Sequence, residues 1–250
     1  MEKQKLKGMV FAALFAALTG VVAWFKIPLP FTPVPITLQT LLVLMSGAML
    51  GAYYGALAMI IYLVLGAIGL PVFAGGSSGF GALLGPSGGY LLSYPIAAFV
   101  IGKMLEKKKL SKFLKFISFA LIIILVVLVA FDAIFKLGIM KLGDKPMVSL
   151  ITEQQRTILI IISLGLLLLF SFMLFYAKKS KYFSADVVLA MFAGTLIIYL
   201  LGAVQGKFVT GLPWSAIFIG WVLPFIVGDT LKLIVAAWVA NKIDAKKYMK

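Results

Sequence analysis

Apolar residues run along this chain in long blocks with no alternation and no polar face. Short segments rich in lysine, glycine or proline separate them. The blocks predict eight spans: Gly8–Phe25, Thr37–Gly51, Ala52–Gly69, Gly88–Leu105, Phe116–Leu137, Ile158–Tyr176, Asp186–Val204 and Gly228–Asn241. Several fall short of the ~20 residues that cross a bilayer as a helix. Barrel strands would alternate polar and apolar positions, so the pattern predicts an all-α polytopic membrane protein whose helices satisfy their own backbone. The apolar piece Trp214–Phe225 is set off by Pro224 and Gly228. It predicts a short outer-face or re-entrant helix, with the final span starting near Asp229. The N-terminal stretch, charged to Lys7 and apolar from Gly8, lacks a small-residue cleavage site and predicts a retained first helix.

Composition agrees: 63% of residues are hydrophobic and only 12% charged, against about half and a quarter in a soluble domain. Net charge is +15, and its placement sets the orientation. With the N-terminus in the cytoplasm, the inner segments collect the lysine clusters Lys3–Lys7, Lys103–Lys115, Lys178–Lys181 and Lys242–Lys250. The outer segments hold only Lys26, Lys136, Lys141, Lys145, Arg156 and Lys207. Positive charge stays inside, which predicts both termini cytoplasmic in the cell membrane. Clusters that flank spans suit anionic membrane lipids and not nucleic acid.

Absences narrow the chemistry. With no His and no Cys, imidazole catalysis, thiol nucleophiles and the usual zinc ligands are excluded. No G-x-x-x-x-G-K-[ST] occurs, and the eight acids form no catalytic pair within one span. The sequence predicts a binding protein with no catalytic residues, no metal and no cofactor.

Four features could serve binding. Lys26–Thr37 carries four prolines between Pro28 and Pro35, so it is not helical; it is either a stiff connector or a gate over an outer cavity. Gly75, Gly76, Ser77 and Ser78 begin a glycine- and serine-rich loop that is either a flexible hairpin or a surface for close backbone approach to a ligand. Tyr90, opening the next helix, is an interface anchor or the wall of a pocket. Asp229 and Lys232 stand three apart where charge is costly. They are either an N-capping acid with its neutralising lysine or a polar binding site. In the first span, Gly8, Ala12, Ala16 and Gly20 recur every four residues, with Ala13 and Ala17 on the adjacent stripe. This spacing lets a helix approach closely, either within the molecule or from another subunit.

Four separated motifs, Pro30-Phe-Thr-Pro-Val-Pro-Ile-Thr-Leu-Gln-Thr40, Gly66-Ala-Ile-Gly-Leu-Pro-Val-Phe-Ala-Gly75, Gly85-Pro-Ser-Gly-Gly-Tyr90 and Leu223-Pro-Phe-Ile-Val-Gly-Asp-Thr-Leu-Lys232, resemble the biotin-uptake S-component family (BioY). The resemblance covers about Met1–Lys107 and Phe183–Lys250. It implies a six-helix core that captures biotin from outside, for an energy-coupling-factor transporter made with a membrane coupling subunit and two cytoplasmic ATPases. It further implies biotin contacts at Gly75–Ser78, Tyr90, Asp229 and Lys232, a gating loop at Phe31, Thr32 and Pro33, and a coupling-subunit contact at Ala12, Ala13, Ala16 and Ala17. An S component for another vitamin, or a non-transporting membrane scaffold, is the alternative. Residues 110–182 depart from the family pattern: two apolar runs joined by Gly138–Arg156. They predict a transmembrane hairpin inserted between core residues 1–109 and 183–250, which makes about eight transmembrane helices and leaves the topology unchanged.

Overall fold

The computed structural model describes residues 2–30, 32–106, 141–142, 145–146 and 184–243. The two predicted spans of the inserted hairpin, Phe116–Leu137 and Ile158–Tyr176, lie outside the described residues. Among the described residues, five helices are long and apolar enough to cross a membrane, and large apolar side chains such as Val10, Val21, Leu200 and Leu231 are exposed on them. The chain is a multi-pass membrane protein.

Helix α1 (Glu2–Ala23) buries Gly8, Ala12, Phe15, Ala16, Thr19, Gly20 and Ala23 along one stripe. Because both faces are apolar, small residues mark the packed face; without a hydrophobic gradient in lipid, close backbone approach decides which face is inside. Two strands follow, β1 (Lys26–Leu29) and β2 (Thr32–Thr37). They pair antiparallel with Lys26 opposite Thr37 and Ile27 opposite Ile36. The proline-rich connector is thus a β-hairpin, which an all-α reading did not include. Pro33 and Pro35, two apart, place their missing N–H groups on the same edge of β2, and a two-stranded ribbon leaves one edge of each strand free.

Helix α2 (Gln39–Ala67) is interrupted at Gly51, whose φ of 82° lies in the left-handed region. The interruption reverses the chain. A Cβ placed on Gly55 would meet the Ser46 carbonyl oxygen at 2.8 Å, although nine residues of straight helix would separate them by about 13 Å. Segments 39–50 and 52–67 are therefore antiparallel arms, matching two of the predicted spans. The turn is held at that end of the bundle by the Glu106 carboxylate, which accepts the Ala52 N–H at 3.0 Å.

After the arms come a glycine-rich segment with a short helix α3 (Phe80–Leu84), then α4 (Gly88–Glu106). Two short strands, β3 (Lys141–Leu142) and β4 (Lys145–Pro146), pair with each other. Helix α5 (Ala185–Thr210) leads to α6 (Trp214–Ile217), a π-turn over Phe218–Val222, and α7 (Phe225–Lys242). The last helix begins earlier than Gly228: Pro224 occupies its N-cap position, where a missing N–H is harmless.

Leu44, Ile101, Val188, Met191, Leu233 and Ala237 form a dry cluster near the Gly51 end of the bundle. A larger cluster joins α1, α2, α4, α5 and α7 toward the opposite end. At that end the β-hairpin, the glycine-rich segment and the α5–α7 connection converge. Trp24 donates its indole N–H to the Pro71 carbonyl at 3.0 Å, and Gln205 donates to the carbonyls of Leu83 and Gly85 at 2.7 and 2.9 Å.

Candidate functional site

A cavity opens where those three segments meet, above the dry cluster. Its wall includes Val34, Pro35 and Thr37 of β2, Gln39 and Thr40 at the start of α2, Ser77 and Ser87, Tyr90 and Tyr94 of α4, and Asp229 and Lys232 of α7.

Asp229 and Lys232 stand one turn apart on α7, which puts them side by side. The Lys232 ammonium donates to Asp229 Oδ1 at 2.7 Å and to the Thr40 hydroxyl oxygen at 3.2 Å. The Thr40 hydroxyl in turn donates to Asp229 Oδ1 at 2.9 Å. On the other side, the Tyr199 hydroxyl donates to Asp229 Oδ2 at 2.8 Å. Asp229 is 5% exposed and Lys232 9%. Burial of two charges is tolerable here because each is paired and hydrogen-bonded further. The N-cap reading of Asp229 is corrected: the residue sits a full turn inside α7, and its partners are side chains of α2, α5 and α7 instead of helix-end N–H groups. An ammonium has three N–H donors and a carboxylate about four acceptor positions. Among the described residues, two of those donors and three of those acceptors are engaged.

Tyr90 contributes its ring to the wall, tilted against Phe225 with centroids 6.1 Å apart. Its hydroxyl donates to the Trp221 carbonyl in the π-turn. The hydroxyl is therefore engaged by the backbone of the π-turn, while the ring faces the cavity. Trp221 also donates its indole N–H to the Pro86 carbonyl at 3.0 Å, which pins the glycine-rich segment to the α5–α7 connection.

The glycine-rich residues divide. Ser77 lines the cavity and donates its hydroxyl to the Ala74 carbonyl at 3.1 Å. Gly75 and Gly76 do not line it. A side chain at Gly75 would run into Lys26, and one at Gly76 would press on Trp24 at 3.3 Å, so both glycines allow the segment to lie against the end of α1 and β1. Ser78 is exposed and outside the wall. Of the gating residues, Phe31 lies outside the described residues. Thr32 is buried and accepts the Val34 N–H at 3.3 Å, and Pro33 is exposed. Neither lines the cavity; Val34, Pro35 and Thr37, farther along the same strand, do.

Ala12 and Ala16 are 0% and 1% exposed, packed inside the bundle. Of the four alanines on the two stripes, Ala13 and Ala17 are on the exposed face of α1. Sequence reasoning missed Gln39, Thr40, Tyr94 and Tyr199. A hydroxyl or amide inside an otherwise apolar span was the available signal, and Gln39 and Thr40 close the first of the quoted motifs.

The family model described as the BioY family matches residues 1–152 and 146–248. The chain is 48% identical over 104 residues to the biotin transporter BioY of Thermotoga maritima, covering 42% of this chain and 60% of that protein. It is 51% identical over 107 residues to the biotin transporter BioY of Rhodobacter capsulatus, covering 43% of this chain and 54% of that one. These matches span between half and three-fifths of the relatives' length. Among solved structures, the S-component for biotin from an ECF-type ABC transporter is similar with a TM-score of 0.62 at 23% identity, covering 97% of this chain and 93% of that chain. That likeness is one of fold.

Proposed function

Since the chain belongs to the BioY family, we propose that it is the substrate-binding component of a biotin uptake transporter, capturing biotin at the outer face for import driven by partner ATPases. The observation that carries this reading is the buried Thr40–Asp229–Lys232–Tyr199 cluster opening onto a cavity beneath the β-hairpin. Biotin's head is a cyclic urea, with N–H donors beside a carbonyl acceptor. Asp229 and Lys232 present the complementary order, an acceptor beside a donor, each with hydrogen-bonding capacity left over. The head's thiophane ring and the valeryl chain suit the aromatic wall made by Phe73, Tyr90, Tyr94 and Phe225.

In this reading the cavity end of the bundle faces outward, in keeping with lysine-rich inner segments. The β-hairpin covers the bound ligand, and inward release requires a membrane coupling subunit and two cytoplasmic ATPases, because the chain has no nucleotide-binding loop of its own. The coupling contact would use the exposed Ala13 and Ala17. Ser77 and the Tyr90 ring belong to the proposed site with Asp229 and Lys232.

Calorimetric titration of biotin into the purified chain, beside the Asp229→Ala variant, tests the proposal. Saturable one-to-one binding that is lost in the variant is expected. A folded chain that ignores biotin but binds another vitamin would reassign the ligand, and one that binds none would leave a membrane scaffold.

A further inference from the structure

The cavity has a second polar group of residues that the binding reading does not use. Thr37, the last residue of β2, donates its hydroxyl to Gln39 Oε1 at 2.8 Å. The Gln39 amide nitrogen donates to the Tyr62 hydroxyl. All three are buried, at 9%, 3% and 0% exposure. Tyr62 belongs to the second arm of α2 and is not part of the cavity wall. Its ring meets Phe73 of the glycine-rich segment edge-on at 5.5 Å and stacks on Tyr94 of α4 at 6.4 Å. Phe73, Tyr94, Thr37 and Gln39 all face the cavity.

We propose that Gln39 and Tyr62 are positioning residues for ligand binding: a buried chain, Thr37 to Gln39 to Tyr62, fixes the end of β2 against the core and so sets the shape of the cavity. The physical basis is the cost of leaving a buried polar group unpaired. Buried at the cavity wall, the Gln39 amide has these two hydroxyls as its side-chain partners among the described residues. While the chain is intact, β2 cannot shift relative to the second arm without stranding the amide. Val34, Pro35 and Thr37 are therefore held in place on the cavity wall they share with Asp229 and Lys232. Tyr62 separates this role from direct ligand contact, because its hydroxyl can influence a ligand only through Gln39.

The inference rests on the biotin-binding reading for its main readout and has a second readout that does not. The full chain in detergent is compared with Tyr62→Phe, Gln39→Met and the double variant. Tyr62→Phe keeps the ring packing and removes one hydroxyl. The biotin dissociation constant, measured per competent site from the calorimetric stoichiometry, is expected to rise about tenfold in each single variant. It should rise hardly further in the double, since both break one chain. Counting only competent sites removes any general loss of folded protein from the comparison. In the absence of ligand, amide exchange at Val34, Ile36 and Thr37 is expected to quicken about tenfold in Tyr62→Phe. An unchanged dissociation constant in Tyr62→Phe, with Gln39→Met weakened, would make Gln39 a direct ligand contact and overturn the proposal. Unchanged exchange at β2 would overturn it equally. If the unsubstituted chain binds no biotin, the functional reading fails and the exchange result alone decides this one.

Discussion

A carboxylate and an ammonium buried together on α7 neutralise each other, so removing one strands the other. Asp229→Asn is expected to lower the melting temperature and weaken biotin binding at least about 100-fold, the range seen when one member of a buried charge pair is truncated. Asp229→Asn with Lys232→Met removes both charges. It should melt within a few degrees of the unsubstituted chain while still failing to bind biotin. A double variant that binds biotin would place the ligand elsewhere. Thr40→Val and Tyr199→Phe each remove one hydroxyl from Asp229 and should weaken binding by about fivefold to tenfold, read by the same titration. The sequence made Asp229 and Lys232 visible because charge in an apolar block is conspicuous. It did not reveal Tyr199, because an aromatic residue in an apolar block reads as packing or an interface anchor, or Thr40, because a threonine hydroxyl in a helix usually bonds its own backbone. Thr19, Thr195 and Thr230 do so, donating to the carbonyl four residues back at 2.6 to 3.0 Å. Thr40 lies in the first turn of α2, preceded by strand instead of helix, and its hydroxyl is free to cross to α7.

At the scale of elements, the arms of α2 depend on one residue in the left-handed region. Gly51→Val should destabilise the fold by about 1–3 kcal/mol, since a β-branched residue at φ 82° is strained. A lowered melting temperature with normal biotin stoichiometry at low temperature is expected, because Gly51 sits at the opposite end from the cavity. Unchanged melting would mean that the turn relaxes freely. The two arms were legible because the apolar block from Thr37 to Gly69 is too long for one crossing and Gly51 offers a place to turn. The β-hairpin was not. Its four prolines exclude helix, but proline also argues against a central strand, so pattern alone left the segment without a conformation. The start of α7 was misplaced for a related reason: Pro224 suggests a break, yet at an N-cap it fits the helix without strain.

For the whole molecule, the proposed function requires one orientation and one free face. The chain contains no cysteine, so single substitutions report topology against a silent background. Lys26→Cys should react with a membrane-impermeant thiol reagent from outside intact cells, and Lys242→Cys only after the membrane is opened; the reverse pattern would invert the bundle. The proposed face lies on α1, where Ala13 and Ala17 are exposed one turn apart while Ala12 and Ala16 are packed against the rest of the bundle. Bulky residues therefore have opposite consequences on adjacent stripes of one helix. Ala12→Leu or Ala16→Leu would force side chains into a filled interior, costing about 1–3 kcal/mol, and should reduce the yield of biotin-competent protein. Ala13→Leu with Ala17→Leu projects into lipid in the isolated chain and should leave the biotin dissociation constant unchanged. In cells that also make the energising subunits, the same pair should abolish ATP-dependent biotin accumulation, because a helix that packs through small residues cannot approach over two leucines. Accumulation that persists in the exposed-stripe variant would move the coupling contact off the Ala13–Ala17 stripe of α1.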